Sequence, residues 1–135
     1  VCSSDLSPSV SIRSVATTFL NPCRQATDLI ETLGDPHFKL HMDVKAQSGE
    51  TGQTVPALIR RFARTAGHFH AQDTNLRGPG MGNVDFGPIL KTLVESGYGR
   101  WVSVEVFDFS PGAEVTAAQS FACLSRELAN ALAST

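Results

Sequence analysis

The stretch WVSVEVF, Trp101 to Phe107, alternates without a break. Val102, Val104 and Val106 take one side, while Trp101, Ser103, Glu105 and Phe107 take the other. A run this short, rich in β-branched residues, reads as a strand. Two upstream stretches behave in the same way. In FKLHMD, Phe38, Leu40 and Met42 oppose Lys39, His41 and Asp43; in HFHAQ, Phe69 and Ala71 oppose His68, His70 and Gln72. Each strand thus pairs an apolar face with a polar one. Parallel strands are normally apolar on both faces, and burying unpartnered polar groups costs on the order of a few kcal/mol each. The polar faces must therefore line something wet, charged or metallated.

Helical patterns separate these strands. Asn21 and Pro22 suit a helix start and Gly34 with Asp35-Pro36 a stop, with Ala26, Leu29, Ile30 and Leu33 as the apolar stripe between them. Val44 to Gln53 reads as a loop. Thr54 caps a second helix that buries Leu58, Ile59, Phe62 and Ala63 and closes at Gly67. A Gly-rich loop, Arg77 to Asn83, leads to Asp85 as the cap of a third helix, with Phe86, Ile89, Leu90, Leu93 and Val94 at i, i+3, i+4, i+7 and i+8. Ser110, Pro111 and Gly112 open a last helix over roughly Glu114 to Leu132, with Val115, Ala118, Phe121, Ala122 and Leu128 inward. Strands alternating with helices imply right-handed crossovers and a parallel sheet. A closed barrel accounts for the polar faces: helices cover the outside and the polar sets face the axis. A half-solvated sheet and an open doubly wound sheet are the alternatives. The open sheet leaves unexplained why all three polar sets share the strand ends. The expected fold class is α/β, the C-terminal part of a (β/α)8 TIM barrel, with about three strands and four helices.

The bulk properties exclude several classes. The chain has 135 residues, enough for one domain with a core, and a formal net charge of −2. No apolar run approaches the roughly 18 residues of a membrane span. An acidic balance speaks against a nucleic-acid partner, which needs clustered Lys and Arg. The one basic cluster, Arg60, Arg61 and Arg64, reads as a solvated helix face. Cys2, Cys23 and Cys123 form neither a disulfide framework nor a zinc knuckle, which points to reduced cysteines and a cytoplasmic setting. The loop containing Gly78, Gly80 and Gly82 does not run straight from a strand into a helix, as a dinucleotide fingerprint must. Val1 to Leu6, VCSSDL, has no initiator Met and resembles a translated sequencing-adapter scar. An incomplete reading frame is therefore expected, with residues 1–17 as scar and loop remnant and residues 18–135 as the barrel portion.

Asp43 ends the first strand, while His70 and Glu105 lie near the ends of the second and third. A (β/α) barrel gathers its active site at these ends, so the three can converge. Two carboxylates and an imidazole suit a divalent ion such as Mn, Mg, Co or Zn. Spacing leaves two readings open, metal ligands or ordinary polar partners.

The stretches HMDVKA (His41 to Ala46), GHFHAQDTNLRGPGMGNVDF (Gly67 to Phe86) and GYGRWVSVEVFDFSPG (Gly97 to Gly112) resemble, in order, the closing segments of sugar phosphate isomerase/epimerase proteins with a xylose-isomerase-like barrel. The resemblance covers Thr18 to about Leu124. It implies that Asp43, His70 and Glu105 are metal ligands, with Glu105 also catalytic as a proton carrier, and that a fourth ligand, a Glu, precedes a Thr-Asn-Phe-like stretch. That stretch looks like Thr17 to Asn21, and no Glu stands upstream of it, a departure that truncation would produce.

His68 is either a satisfied core histidine or a substrate contact, and Asp73, Arg77 and Lys45 are further substrate-binding candidates. Related ketose epimerases carry a substrate-contacting Arg at the Leu76 position and a substrate-contacting His at the Ala46 position. The absence of that His here speaks against a free-ketose epimerase. The implied activity is metal-dependent sugar or sugar phosphate isomerisation or epimerisation, by proton transfer next to a carbonyl. An inositol-ketone dehydratase or other lyase on the same barrel is the nearest rival. Low basic charge disfavours the zinc-dependent apurinic endonucleases. The expected partner is a small sugar or sugar phosphate, with no nucleic acid and no membrane. Three parallel strands cannot close a barrel, and their open edges invite self-pairing into a homo-oligomer. By itself the chain is expected to be a non-catalytic fragment with weak metal affinity.

Overall fold

The computed structural model describes residues 22–134. The elements run α1 (Cys23–Leu33), β1 (Leu40–Asp43), α2 (Val44–Ser48), α3 (Val55–Phe62), β2 (Ala66–Ala71), α4 (Phe86–Glu95), β3 (Val102–Val104) and α5 (Ala113–Ala133). The three strands form one parallel sheet in the order β1-β2-β3. This is the alternation expected from sequence, with one short helix added. The Asn21 cap, the scar and loop remnant over residues 1–17 and the Thr17 to Asn21 stretch fall outside the described residues.

The helix-facing side of the sheet is the core. Leu40, Met42, Phe69 and Ala71 are buried there, against Leu58, Ile59, Ile89, Leu90 and Leu93 from the helices. Local signals set the helix ends. Thr54 Oγ1 accepts the Ala57 N–H at the start of α3, and Asp85 Oδ1 accepts the Gly87 N–H at the start of α4. Gly34 ends α1 in the left-handed conformation at φ 64°. No helix among the described residues is long and apolar enough to cross a membrane.

Register decides which side chains share a face. Leu40 pairs with Ala66, yet His41 pairs with His68, so β2 carries one extra residue, Gly67, at this point. The bulge restores the phase: Met42 then pairs with Phe69, and Asp43 with His70. Gly67 was expected to close the preceding helix. Instead α3 stops at Phe62, and glycine serves as the spare residue of the strand.

Several expectations need correction. Residues 44–48 are helical rather than loop, because Asp43 accepts the Ala46 N–H and so caps α2 directly from the strand. Pro22 is the N-cap of α1, one position before the first helical turn. On α1, Ala26 is buried while Leu29 and Leu33 are exposed. The phase expected for α5 is also wrong. Its buried residues are Thr116, Ser120, Cys123 and Ala131, whereas Val115, Phe121 and Leu128 are exposed. The reason is steric. Gly78 lies so close to Ser120 that a Cβ there would overlap its hydroxyl, and Gly80 lies against Cys123, so the small-residue face of α5 receives the glycine loop. Phe121 and Leu128 line a groove of about 630 Å³ beside Val102 and Val104 of β3.

Candidate metal centre

Asp43, His70 and Glu105 converge on the face of the sheet opposite the core. Register places Asp43 and His70 side by side and pairs His70 with Ser103, two residues before Glu105 and on its side of the strand. The Glu105 N–H reaches the Ala71 carbonyl at 3.4 Å, which carries the ladder one step past β3 and holds Glu105 at the tip. His70 Nδ1 lies 3.4 Å from Glu105 Oε2 and 3.9 Å from Asp43 Oδ2. One donor atom from each residue falls within 4.8 Å of the others. All three side chains are mostly buried, at 12 to 16% exposure.

Asp43 divides its carboxylate. Oδ1 accepts the Ala46 N–H at 2.8 Å, while Oδ2 faces His70. The cap fixes the rotamer, so the strand-to-helix junction itself aims the second oxygen. The donor set is one that divalent ions accept: two hard carboxylate oxygens and one imidazole nitrogen. Ligand distances of about 2.0 to 2.2 Å put neighbouring donors roughly 3 to 3.5 Å apart. His70 Nδ1 and Glu105 Oε2, at 3.4 Å, already stand in that range, and Asp43 Oδ2, 3.9 Å from His70 Nδ1, lies just beyond it.

The other sequence candidates are placed differently. His68 lies on the same face, half-buried, with its ring edge-on to His70 at a centroid distance of 5.1 Å. Burial pushes its pKa down, favouring the neutral ring. Lys45 is half-buried in the first turn of α2, two residues past Asp43. Asp73 is fully buried and turned into the glycine loop, where its oxygens accept the Asn83 and Val84 N–H groups. The backbone at Gly82 comes so close to this carboxylate that no Cβ fits. Asp73 therefore builds the loop, which explains why a glycine stands there.

Arg77 donates to Asp108 Oδ2 at 2.8 Å and to Ser110 Oγ at 3.1 Å, clasping the loop after β2 to the loop after β3. The Leu76 carbonyl reinforces the clasp by accepting the Phe107 and Asp108 N–H groups. Leu76 has φ 72°, the strained region for a non-glycine residue, at this junction. The Arg77 hydrogen bond, with help from the Ser110 N–H, holds the Asp108 carboxyl down at about 2. A pKa depressed on folding stabilises above the unfolded value near 3.8, and that contribution is lost as pH falls through about 2. The clasp is accordingly expected to hold through the ordinary carboxylate range and to open as pH falls through about 2. A carboxyl NMR titration of Asp108 should show the low midpoint, and Arg77→Ala should return it to the ordinary carboxylate range.

His70 and Glu105 open onto a cavity of about 500 Å³ whose further walls include Val106, Phe109, Thr116 and Ala117. The residue that sequence reasoning passed over is His41. It lies on the polar face beside His68 in the register, and its signal was present in the alternation that singled out Asp43.

Comparison with known proteins identifies the fold family. Residues 10–127 match the family model described as the xylose isomerase-like TIM barrel. A D-psicose 3-epimerase of Enterocloster bolteae is 28% identical over 93 residues, which is 69% of this chain and 31% of that protein. The solved structure of an L-ribulose 3-epimerase superposes with a TM-score of 0.77 at 24% identity, covering 87% of this chain and 45% of that one. The IOLI protein, solved with a bound zinc atom, superposes with a TM-score of 0.61 at 21% identity, covering 82% and 44%. The chain thus spans about a third of the curated relative and under half of either solved chain. With three parallel strands carrying their helices in this order, and a match over most of its length, the chain belongs to the xylose isomerase-like TIM barrel family.

Proposed function

We propose that Asp43, His70 and Glu105 hold one divalent metal ion, Mn, Mg, Co or Zn, and that the site serves isomerisation or epimerisation of a small sugar or sugar phosphate. The observation that carries this reading is the convergence of three donor atoms within 4.8 Å at the ends of three adjacent parallel strands. The epimerase names of two relatives and the zinc atom of a third accord with it. When bound, the ion supplies polarisation of a carbonyl and stabilises the negative charge that develops as a neighbouring proton leaves.

The residues divide the remaining work. Asp43, held by its cap, orients the centre from one side. Glu105 lines the cavity beside His70, so its carboxylate is placed to take a proton from a sugar carbon and return it. His68, neutral and on the same face, is placed to meet a sugar hydroxyl, and Lys45 stands at the rim next to Asp43. Asp73 and Arg77 act one step back by fixing the two loops around the mouth.

Three protein donors leave coordination positions open for substrate and water. Titration with Mn2+, followed by the loss of its free EPR signal, is expected to saturate at one ion per chain, and Asp43→Ala should abolish saturation. Absence of binding by the native chain at millimolar Mn2+, or full binding by Asp43→Ala, would overturn the assignment.

A further inference from the structure

Below the three donors the same face carries a second row of side chains. His41 precedes Asp43 by two residues, His68 precedes His70 by two, and the register pairs His41 with His68 just as it pairs Asp43 with His70. His41 is the more deeply placed, at 8% exposure. Its ring meets that of His70 at a centroid distance of 4.0 Å and an interplanar angle of 87°. His68 completes the group, 5.2 Å from His41 and 5.1 Å from His70, again edge to face.

The converging donor atoms belong to Asp43, His70 and Glu105, and His41 contributes none of them. What His41 supplies is a wall. An imidazole ligand is useful to an ion only while its nitrogen lies on the line to the metal, and free rotation about χ2 sweeps that nitrogen away. A perpendicular ring about 4 Å off resists this rotation sterically, and the edge-to-face arrangement adds a directional preference. Asp43 is held by its backbone cap and Glu105 by the end of the ladder, and the ring packed against His70 is that of His41.

We infer that His41 is a positioning residue for the metal centre: its ring fixes the plane of His70 so that Nδ1 stays aimed between the two carboxylates. This rests on the metal reading of the triad. The role belongs to ring shape, so phenylalanine performs it and a flexible or small side chain does not.

The test compares the native chain with His41→Phe, His41→Leu and His41→Ala by titration with Co2+, read from the d–d absorption of the bound ion. Loss of a supporting group around a ligand histidine weakens metal binding by about 10- to 100-fold. His41→Ala and His41→Leu are expected to fall in that range and to alter the Co2+ band, while His41→Phe stays within a few-fold of native with an unchanged band. Far-UV circular dichroism identifies any variant that fails to fold; His41→Leu, which keeps the volume but lacks the plane, then decides the matter against His41→Phe. If the native chain binds no Co2+, the metal reading itself fails. If it binds and His41→Leu matches it, or His41→Phe falls as far as His41→Leu, the positioning role is overturned while the metal centre stands.

Discussion

Replacing His70 with alanine is expected to weaken divalent-metal binding by about 100-fold or more while leaving most of the fold's stability in place. His70 is the central donor, 3.4 Å from Glu105 and 3.9 Å from Asp43, and its removal leaves two carboxylates facing each other across an empty position. Two like charges without their mediator repel. Their shared hold on an ion also loses its one neutral, geometrically fixed member. The fold should tolerate the change, because His70 projects from the face opposite the core and its neighbours Phe69 and Ala71 keep their packing. Ligand that binds only the native state raises stability by about 2.7 kcal/mol at 100 times Kd. Urea melts with and without metal therefore separate the two effects. Native protein should gain stability from Mn2+, and His70→Ala should gain none while melting near the native midpoint in EDTA. A metal-dependent gain that survives in His70→Ala would place the ion elsewhere.

Phe69→Ala is expected to have the opposite profile, with a loss of about 3 to 5 kcal/mol in stability. Phe69 is fully buried on the central strand, and its N–H reaches the Trp101 carbonyl across to β3. Its ring sits edge to face with Tyr98 at 6.4 Å. Truncation leaves a cavity where helices and sheet meet, in a domain whose total stability is on the order of 5 to 15 kcal/mol. A large unfolded fraction at 37 °C should follow, visible by circular dichroism and as a lowered urea midpoint. Leu29→Ala serves as the contrast: that side chain is 38% exposed on α1, and its loss should shift the midpoint only slightly. Comparable losses for both would mean that the core lies elsewhere than the sheet's helix-facing side.

Much of this architecture was legible in the chain because strand alternation is a strict code. Once Val102 and Val104 are assigned to one face, Ser103 and Glu105 follow, and the same rule separates His70 from Phe69 and Asp43 from Met42. Helix phase is a looser code. On α5, Val115, Phe121 and Leu128 present the stronger apolar stripe, yet the helix buries Thr116, Ser120 and Cys123. The choice was made by a loop some forty positions earlier, whose glycines admit only small partners. Hydropathy along one helix cannot register such a distant steric demand. Asp73 was hidden for a related reason. Its placement after a strand suggests a site residue, but the N–H groups that claim it belong to residues 83 and 84, and only the folded loop brings them near. The short helix after β1 left a fainter trace: Asp43 is a good cap, and its role at the strand tip drew the reading away from that one.

The spare residue at Gly67 has a consequence for how this sequence can change over time. The loops around the site can grow or shrink by any number of residues, because the donors hang from strand ends and loop closure costs little per added residue. The interval from His68 to His70 has no such freedom. Past the bulge, an odd insertion or deletion that no further bulge absorbs would hand His70 to the oily side of the sheet and bring Phe69 to the mouth. Gly67 is the one odd step this strand has absorbed, and a lineage that keeps this chemistry must answer any other in the same way.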